Sequence, residues 1–274
     1  MDFAVLMSVY SKDSVGDFRT ALESITVKQT LKPKQVVIVQ DGIVSNKIDE
    51  VILDLEKQTP EIEYSILKKE TNQGLAAALN SGLMICKYEW VARMDSDDIS
   101  VPERFEKQAQ FIDSHPDIDV IGGAIAEFEN QIGDIKSERH VGLTNDKIRK
   151  MAKSRTPMNH VTVIYSKKAI IEVGGYSVNF GKLEDYKLWV DLIAAGKNLA
   201  NLDDVLVNVR IGKGFIERRS NKREIQDWDM LQTYLLQSKI INRVQALKNK
   251  IYIRVFIYMP IWMKKIAYKK LLRK

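Results

Sequence analysis

The chain has 274 residues, 45% apolar and 28% charged, a composition typical of a globular protein with its own core. Its net charge of +6 comes from the end of the chain, because residues 240–274 hold ten Lys or Arg and no Asp or Glu. The rest has 32 basic and 36 acidic residues, which argues against nucleic acid as a partner. The single cysteine, Cys86, excludes an internal disulfide.

The first half alternates two kinds of sequence pattern. Apolar runs predict strands over residues 3–10, 35–42, 63–69 and 89–95, and amphipathic runs predict helices over 18–29, 47–58 and 74–86. This alternation predicts a parallel sheet with helices on both faces. Ligands of such sheets bind beyond the carboxyl ends of the strands, where several polar residues of this chain fall.

The alternation loosens after a helix predicted over residues 102–116. Strands of a mixed region are predicted over 119–129, 160–171 and 202–211, with a helix over 185–196. A long helical tail is predicted from about Lys222. The start, "MDFAVLMSVY", has no basic region before its apolar run, so no signal peptide is predicted.

Three aspartates lie within four positions in "RMDSDDISVPER", directly after the fourth predicted strand. Charges this close repel one another unless a cation neutralises them. Asp95 and Asp97 could bind one divalent ion, since Mg²⁺ takes one or two carboxylates together with substrate phosphate oxygens. The alternative is a solvated acidic turn before the next helix.

Six motifs in order resemble the family-2 glycosyltransferases: "VLMSVY", "VVIVQDG", "NQGLAAALNSGL", "MDSDD", "GGY" and "LEDYKLW". They lie within residues 3–215. The resemblance implies an α/β protein of the GT-A fold, with a Rossmann-like, mostly parallel central sheet flanked by helices. It also implies inverting sugar transfer from a nucleotide sugar, with a UDP-sugar favoured.

The same resemblance divides the chain into parts. A catalytic domain over 1–215 would consist of a nucleotide-binding half (1–98) and an acceptor-binding half (99–215). Residues 216–274 would form a basic helical extension.

The resemblance assigns roles residue by residue. Ser8 and Tyr10 would line the nucleotide, Asp41 would bind its base, and Asn72 and Gly74 belong to a loop beside it.

Metal and phosphate ligands are also implied. Asp95 and Asp97 match the D-x-D motif that binds Mn²⁺ or Mg²⁺, with Asp97 as the direct ligand, and Asp95 also faces the donor. His160 is a further candidate for the metal. Arg218 and Arg219 follow the last strand of the catalytic domain, where guanidinium groups would suit the diphosphate.

Asp185 matches the family's general base for the acceptor hydroxyl, and Glu184 would orient it or contact the acceptor. Direct inversion requires one carboxylate near that hydroxyl and no covalent intermediate. The alternative for this pair is a favourable interaction with a helix N-terminus.

The basic tail mixes aromatic, aliphatic and cationic residues. Its apolar run over 251–263 is too short to span a bilayer and contains Arg254 and Pro260. Such a segment fits an anionic membrane surface, with packing on the body as the alternative. A cytoplasmic enzyme at the inner face of the plasma membrane is therefore expected. Its glycan acceptor would be polyprenyl-diphosphate-linked, in polysaccharide or O-antigen assembly.

Two other functions remain open from sequence. A nucleotidyltransferase shares a similar sheet but normally carries a Gly-rich basic loop after its first strand, and "SVYSKDSVGDF" offers one Gly and one Lys. A non-catalytic nucleotide-sugar or glycan-binding module would bind UDP without turnover.

Overall fold

A computed structural model describes residues 1–212 and 223–267. The strands in these residues are β1 (Phe3–Val9), β2 (Gln35–Gln40), β3 (Glu63–Lys68), β4 (Trp90–Met94), β5 (Ile99–Ser100), β6 (Val120–Phe128), β7 (Glu138–Arg139), β8 (Ile164–Ser166) and β9 (Leu199–Arg210). The α-helices are α1 (Val15–Ser24), α2 (Asn46–Gln58), α3 (Leu75–Ile85), α4 (Arg104–Ser114), α5 (Asn145–Met151), α6 (Lys167–Glu172), α7 (Glu184–Ala194), α8 (Arg223–Gln237), α9 (Arg243–Tyr258) and α10 (Ile261–Ala267). Short 3-10 turns lie at His160–Thr162 and Gly181–Leu183.

All these strands belong to one sheet, ordered β3-β2-β1-β4-β8-β6-β9-β5, with β7 paired to β6. The first four strands pair in parallel, which confirms the predicted parallel sheet. Alternate residues of β1 enter the two hydrophobic clusters on opposite faces of the sheet. Gly82 lets α3 pack closely, because a Cβ there would lie 2.4 Å from Leu6 Cδ1.

The second half extends this sheet with mixed pairing. β8 joins β4 antiparallel, and β6 joins β8 antiparallel. The long strand β9 runs parallel to β6 and pairs antiparallel with the two-residue β5. The loop between β4 and β5, residues 95–98, is therefore held between the centre of the sheet and β9.

Two predicted elements were wrong in detail. Residues 160–171 are not one strand, because β8 ends at Ser166, whose Oγ accepts the Ala169 N–H at 3.1 Å and starts α6. The tail is not one helix either. It breaks at a turn where Lys239 has φ +57° and Asn242 caps α9, and again before Pro260.

Helices α8 and α9 form a hairpin that shares a hydrophobic cluster with α7. Asp229 on α8 pairs with Arg254 on α9 at 2.6 Å, and Gln232 accepts from Asn249 at 2.6 Å, so the two helices are antiparallel. The shared cluster contains Phe180, Tyr186, Val190, Leu231, Leu235, Ile241 and Ala246. The tail is thus partly core.

Helix α9 has apolar side chains on two opposite faces. The inner face is buried and includes the apolar Ala246 and Ile257 together with the polar Asn249. Five side chains on the opposite side are each 54–67% exposed and form what we call the outer face of α9: Val244, Leu247, Ile251, Val255 and Tyr258. Trp262 on α10 is 62% exposed as well. In the described part of the chain, no helix has the length and hydropathy needed to cross a membrane.

Candidate active site

The acidic loop over residues 95–98 is fixed by two arginines, one on β4 and one on β9. Arg93, at the end of β4, is buried and pairs with Asp95 at 2.5 Å. Asp98 is buried and accepts the backbone N–H of Arg210 at 2.8 Å, while Arg210 Nε donates to the Asp97 carbonyl at 3.2 Å. The Asp97 side chain is left exposed beyond the carboxyl ends of the strands. We call the region around the acidic loop the crevice.

Asp13 is a fourth carboxylate at this site, and the sequence analysis missed it. The loop after β1 folds over the acidic loop, so that Asp13 Oδ2 accepts from Ser96 Oγ at 2.8 Å and from the Tyr10 N–H at 3.0 Å. Burial, and then the charge of Asp95, raise its pKa. No motif marks Asp13; its place three residues after Tyr10 was the only available signal.

The crevice carries more negative than positive charge. Partial desolvation, and then Asp95 and Asp13, raise the pKa of Asp97 to about 6. Burial together with Asp95 and Asp97 raises the pKa of Asp98. Arg210 at the same loop pairs with Asp17 at 2.9 Å, so the four aspartates, when ionised, exceed the two buried guanidinium groups of Arg93 and Arg104 by two negative charges.

The oxygen-rich donor set of this crevice fits a hard divalent cation. No group of three His, Cys, Asp or Glu side chains arranged to hold a metal occurs within residues 1–212 and 223–267. A cation at Asp95 and Asp97 would therefore complete its shell with oxygens from water or phosphate, as Mg²⁺ commonly does.

Arg93 also interacts with the second acidic pair, at the start of α7. Glu184 is buried, and burial followed by the charge of Asp185 raises its pKa to about 7, while Arg93 opposes this rise. Arg93 Nε and Nη1 have no hydrogen-bond partner among the described residues. The buried guanidinium thus pairs with the acidic loop and also acts electrostatically on Glu184.

Asp185 is partly exposed at the first turn of α7. Its Oδ1 accepts the Tyr186 N–H at 2.6 Å. Burial also raises the pKa of the Tyr186 hydroxyl, which donates to the Ala152 carbonyl at 2.8 Å and anchors the helix. These two bonds therefore fix the first turn of α7, which carries the Asp185 carboxylate.

His160 lies beneath this pair, not on the acidic loop. Its Nε2 forms a 2.9 Å hydrogen bond with the Tyr176 hydroxyl, and its ring meets Trp189 edge to face. Burial and the charge of Arg93 lower its pKa well below the ordinary value, so the ring is neutral at pH 7. A metal ion at Nε2 would have to replace the bond to Tyr176.

Asp41 organises the loop beside the predicted nucleotide site. Its two carboxylate oxygens accept the N–H groups of Gln73 at 2.9 Å and Gly74 at 2.8 Å, and its carbonyl accepts Asn72 Nδ2 at 3.1 Å. Gly42 has φ +90°, and a Cβ there would lie 2.8 Å from the Asn72 backbone nitrogen. The turn after β2 and this loop thus fit together only with glycine.

The other predicted nucleotide ligands come from the end of β1. Ser8 is partly buried in the strand, and the Tyr10 side chain is 40% exposed. Their strand neighbours the strands that end at Asp41 and at the acidic loop. Arg218 and Arg219 lie outside the described residues.

Solved structures share this fold. S. aureus TarS 1-349 in complex with UDP-GlcNAc aligns with a TM-score of 0.68 at 17% identity, covering 96% of this chain and 78% of that one. A mannosyltransferase from Pyrobaculum calidifontis in complex with GDP-Man and Mn²⁺ aligns with a TM-score of 0.62 at 14% identity, covering 94% and 70%. The fold is therefore that of the GT-A glycosyltransferases.

Sequence comparisons identify the family. An uncharacterized glycosyltransferase of Haemophilus influenzae is 42% identical over 233 residues, 85% of each chain. A UDP-Gal:alpha-D-GlcNAc-diphosphoundecaprenol beta-1,3-galactosyltransferase of Escherichia coli is 34% identical over 273 residues, 99% of this chain and 97% of that one. The model of glycosyl transferase family 2 matches residues 5–177, and the chain belongs to this family.

Proposed function

We propose that this glycosyltransferase moves a sugar, with inversion, from a nucleotide-diphosphate donor to a hydroxyl of a glycan acceptor. The observation that carries the proposal is that buried Arg93 pairs with Asp95 of the acidic loop at 2.5 Å and also opposes the rise in the pKa of Glu184. This coupling supports one crevice in which the acidic loop would hold a cation and the second acidic pair would supply a base. The nucleotide-sugar names of the E. coli relative and of the TarS complex support a UDP-sugar as donor.

In this proposal residues 1–98 bind the donor and residues 99–215 the acceptor. The exposed ring of Tyr10 and the Asp41 turn receive the nucleotide, with Ser8, Asn72 and Gly74 at its edge. Asp95 and Asp97 hold Mn²⁺ or Mg²⁺, with His160 as a weaker candidate ligand. The cation, when bound, offsets the diphosphate charge and stabilises the leaving group.

Asp185 completes the reaction as the general base. The acceptor oxygen attacks the anomeric carbon, the bond from that carbon to the diphosphate oxygen breaks, and the acceptor proton passes to Asp185. Glu184 orients the acceptor from its buried position. Arg218 and Arg219 remain proposed diphosphate ligands.

A thermal-shift titration with UDP and GDP, with and without Mn²⁺, tests the donor site. We expect one nucleotide to stabilise the protein only when metal is present. Asp97→Asn should lose this stabilisation, whereas Asp113→Asn, at an exposed position on α4, should keep it. An unchanged metal-dependent shift in Asp97→Asn would remove Asp97 from the metal site.

Turnover tests the base. Asp185→Asn should lower kcat by roughly 10²–10⁴-fold, the usual contribution of a general base, and leave the nucleotide-dependent thermal shift intact. Normal turnover in this variant would show that another group accepts the proton. Absence of turnover in the wild type with every donor and acceptor tried would favour a binding module.

We further propose a lipid-linked acceptor at the inner face of the plasma membrane, in polysaccharide or O-antigen assembly. The diphosphoundecaprenol acceptor in the name of the E. coli relative supports the lipid. The outer face of α9 and the basic tail support attachment to an anionic membrane surface.

Vesicle co-sedimentation tests this attachment. Replacing Leu247, Ile251 and Val255 together by Gln should reduce binding to anionic vesicles by at least roughly 10-fold, because their apolar surface would no longer be buried in the bilayer. The matched control replaces Leu53, Ile132 and Val27, which are also exposed, by Gln. Equal loss in both triple variants would contradict attachment through α9.

A further inference from the structure

A basic cleft lies outside the catalytic crevice, at the turn between α8 and α9. It has a volume of about 540 Å³ and is lined by three cationic side chains, Lys153, Lys239 and Arg243, and by no acidic one. None of the three forms an ion pair with any residue in 1–212 or 223–267. Leu236, Ile240 and Ile241 form the apolar part of its lining.

Unpaired cations around a concave site indicate an anionic ligand, because the protein itself leaves their charge without a partner. Half of the other lysines in residues 1–212 differ in this respect, because they form ion pairs. Lys187, for example, pairs with Asp191 at 2.6 Å, and Lys197 pairs with Glu172 at 2.5 Å. The cleft is therefore a local concentration of available positive charge.

The turn between α8 and α9, which provides most of the cleft lining, lies toward the C-terminal end of α7. Lys182 and Glu224 approach to 3.5 Å at the start of α8, and Tyr234, further along α8, donates to Asp191 at 2.6 Å. Helices α7 and α8 therefore run in the same direction, and the turn after α8 lies away from Asp185, which is in the first turn of α7.

The outer face of α9 begins at the rim of the cleft. Val244 follows Arg243 directly, and Leu247 is one turn further along the same face. Cationic side chains next to a row of exposed apolar ones match the two layers of a membrane interface, where phosphate groups lie beside acyl chains.

We propose that the cleft formed by Lys153, Lys239 and Arg243 binds the phosphate of an anionic phospholipid while the outer face of α9 contacts the acyl chains. This inference rests on the membrane attachment proposed above and adds a defined headgroup site to it. The basic residues beyond α10 would then be secondary to the cleft for binding.

The test is co-sedimentation with vesicles of phosphatidylcholine alone or mixed with phosphatidylglycerol. At about 1 kcal/mol per basic residue, the triple variant Lys153→Gln, Lys239→Gln and Arg243→Gln should bind the anionic vesicles on the order of 100-fold more weakly. The control removes equal charge from exposed positions elsewhere, with Lys47→Gln, Lys57→Gln and Lys136→Gln. Turnover of a water-soluble acceptor should be unchanged in both.

The possible outcomes separate this inference from the attachment itself. Wild-type binding to anionic vesicles with equal binding by both triple variants would overturn the headgroup site and leave membrane attachment standing. Absence of wild-type binding would overturn both. A thermal shift of the wild type by millimolar inorganic phosphate that the cleft variant loses, while both proteins bind the anionic vesicles equally, would identify a soluble phosphate ligand and overturn the lipid assignment.

Discussion

The ionisation of Glu184 links the active site to protein stability. Its pKa is raised from 4.5 to about 7 in the folded protein by burial and by Asp185. The carboxyl of Glu184 therefore costs no stability below pH 4.5, where it is protonated in both the folded and the unfolded protein. The free energy of unfolding falls as the pH rises through 7, because the buried group must then ionise in the folded protein.

Replacing Glu184 by Gln should remove this loss. We expect the variant to exceed the wild type in free energy of unfolding by up to about 3 kcal/mol at pH 8, and by little at pH 5. Urea unfolding at both pH values measures the difference. Glu50→Gln, at an exposed position on α2, should differ from the wild type equally at both pH values. If the free energy of unfolding of Glu184→Gln changed with pH in the same way as that of the wild type, the assignment would be contradicted.

Asp13 should act through the acidic loop on the metal ion that we propose there. It accepts from Ser96, the residue between Asp95 and Asp97, and adds negative charge to the crevice. Asp13→Asn keeps an acceptor for Ser96 but removes the charge, so we expect Mn²⁺ affinity to fall by roughly 10–100-fold. Calorimetric titration with Mn²⁺ and UDP checks this result, with the exposed Asp2→Asn as control. Equal affinities would limit Asp13 to loop structure.

The residues of the site differ in how far sequence could predict them. Asp41, Asp95 and Asp97 follow strands whose apolar pattern is strong, so their position at one edge of the sheet follows from parallel pairing. Asp13 joins the site only because its loop folds back over Ser96, and that tertiary contact leaves no periodic signal. The burial of Arg93 and its electrostatic effect on Glu184 could not be predicted for the same reason.

At the scale of elements, Asn80 connects α3 to the turn at Tyr176. It lies on α3, and its side-chain amide forms both hydrogen bonds of the Tyr176 backbone, accepting from the N–H at 2.8 Å and donating to the carbonyl at 2.7 Å. The neighbouring Gly175 adopts φ +73°, and a Cβ there would lie 2.6 Å from Asn80 Oδ1. Tyr176 in turn holds His160.

Asn80→Ala should therefore destabilise the protein by about 2 kcal/mol, because it leaves two backbone groups without partners. Urea unfolding measures the change. Ser81→Ala is the matched control, since the Ser81 hydroxyl bonds only to the Ala77 carbonyl of its own helix. Equal effects of the two substitutions would show that the turn does not depend on this amide.

The sequence predicted regular elements well where their pattern was unambiguous. The first four strands were predicted within two residues, because buried parallel strands are nearly continuous apolar runs. Of the helices between them, α1 was predicted to end at residue 29 but ends at Ser24. Residues 160–171 were assigned to one strand because a short apolar run does not distinguish a strand from a helix. The hydrogen bond from the Ala169 N–H to Ser166 Oγ marks where the strand ends and α6 begins.

At the scale of the whole molecule, the tail is both core and surface. Ile241, Ala246 and Ile257 are buried, whereas the outer face of α9 is exposed. The two alternatives considered from sequence, packing on the body and binding a membrane, therefore concern opposite faces of the same helix and do not exclude each other.

Removing residues 240–274 should accordingly destabilise the catalytic domain by at least about 3 kcal/mol, the value of burying one or two large aliphatic side chains. Thermal unfolding of the truncated protein measures the loss. The triple variant at Leu247, Ile251 and Val255, which changes only exposed side chains, should unfold like the wild type. A truncated protein of full stability would show that the hairpin is an independent appendage.

The excess negative charge of the crevice has a consequence for the lifetime of the protein in a cell. Cation and nucleotide sugar, if bound as proposed, stabilise the folded chain by mass action, by about 2.7 kcal/mol at 100 times the dissociation constant. A difference of ~1–2 kcal/mol is enough to change abundance several-fold, because proteases degrade the unfolded fraction. A shortage of the sugar donor would then shorten the half-life of the enzyme. The amount of enzyme would follow the supply of donor without a dedicated regulator.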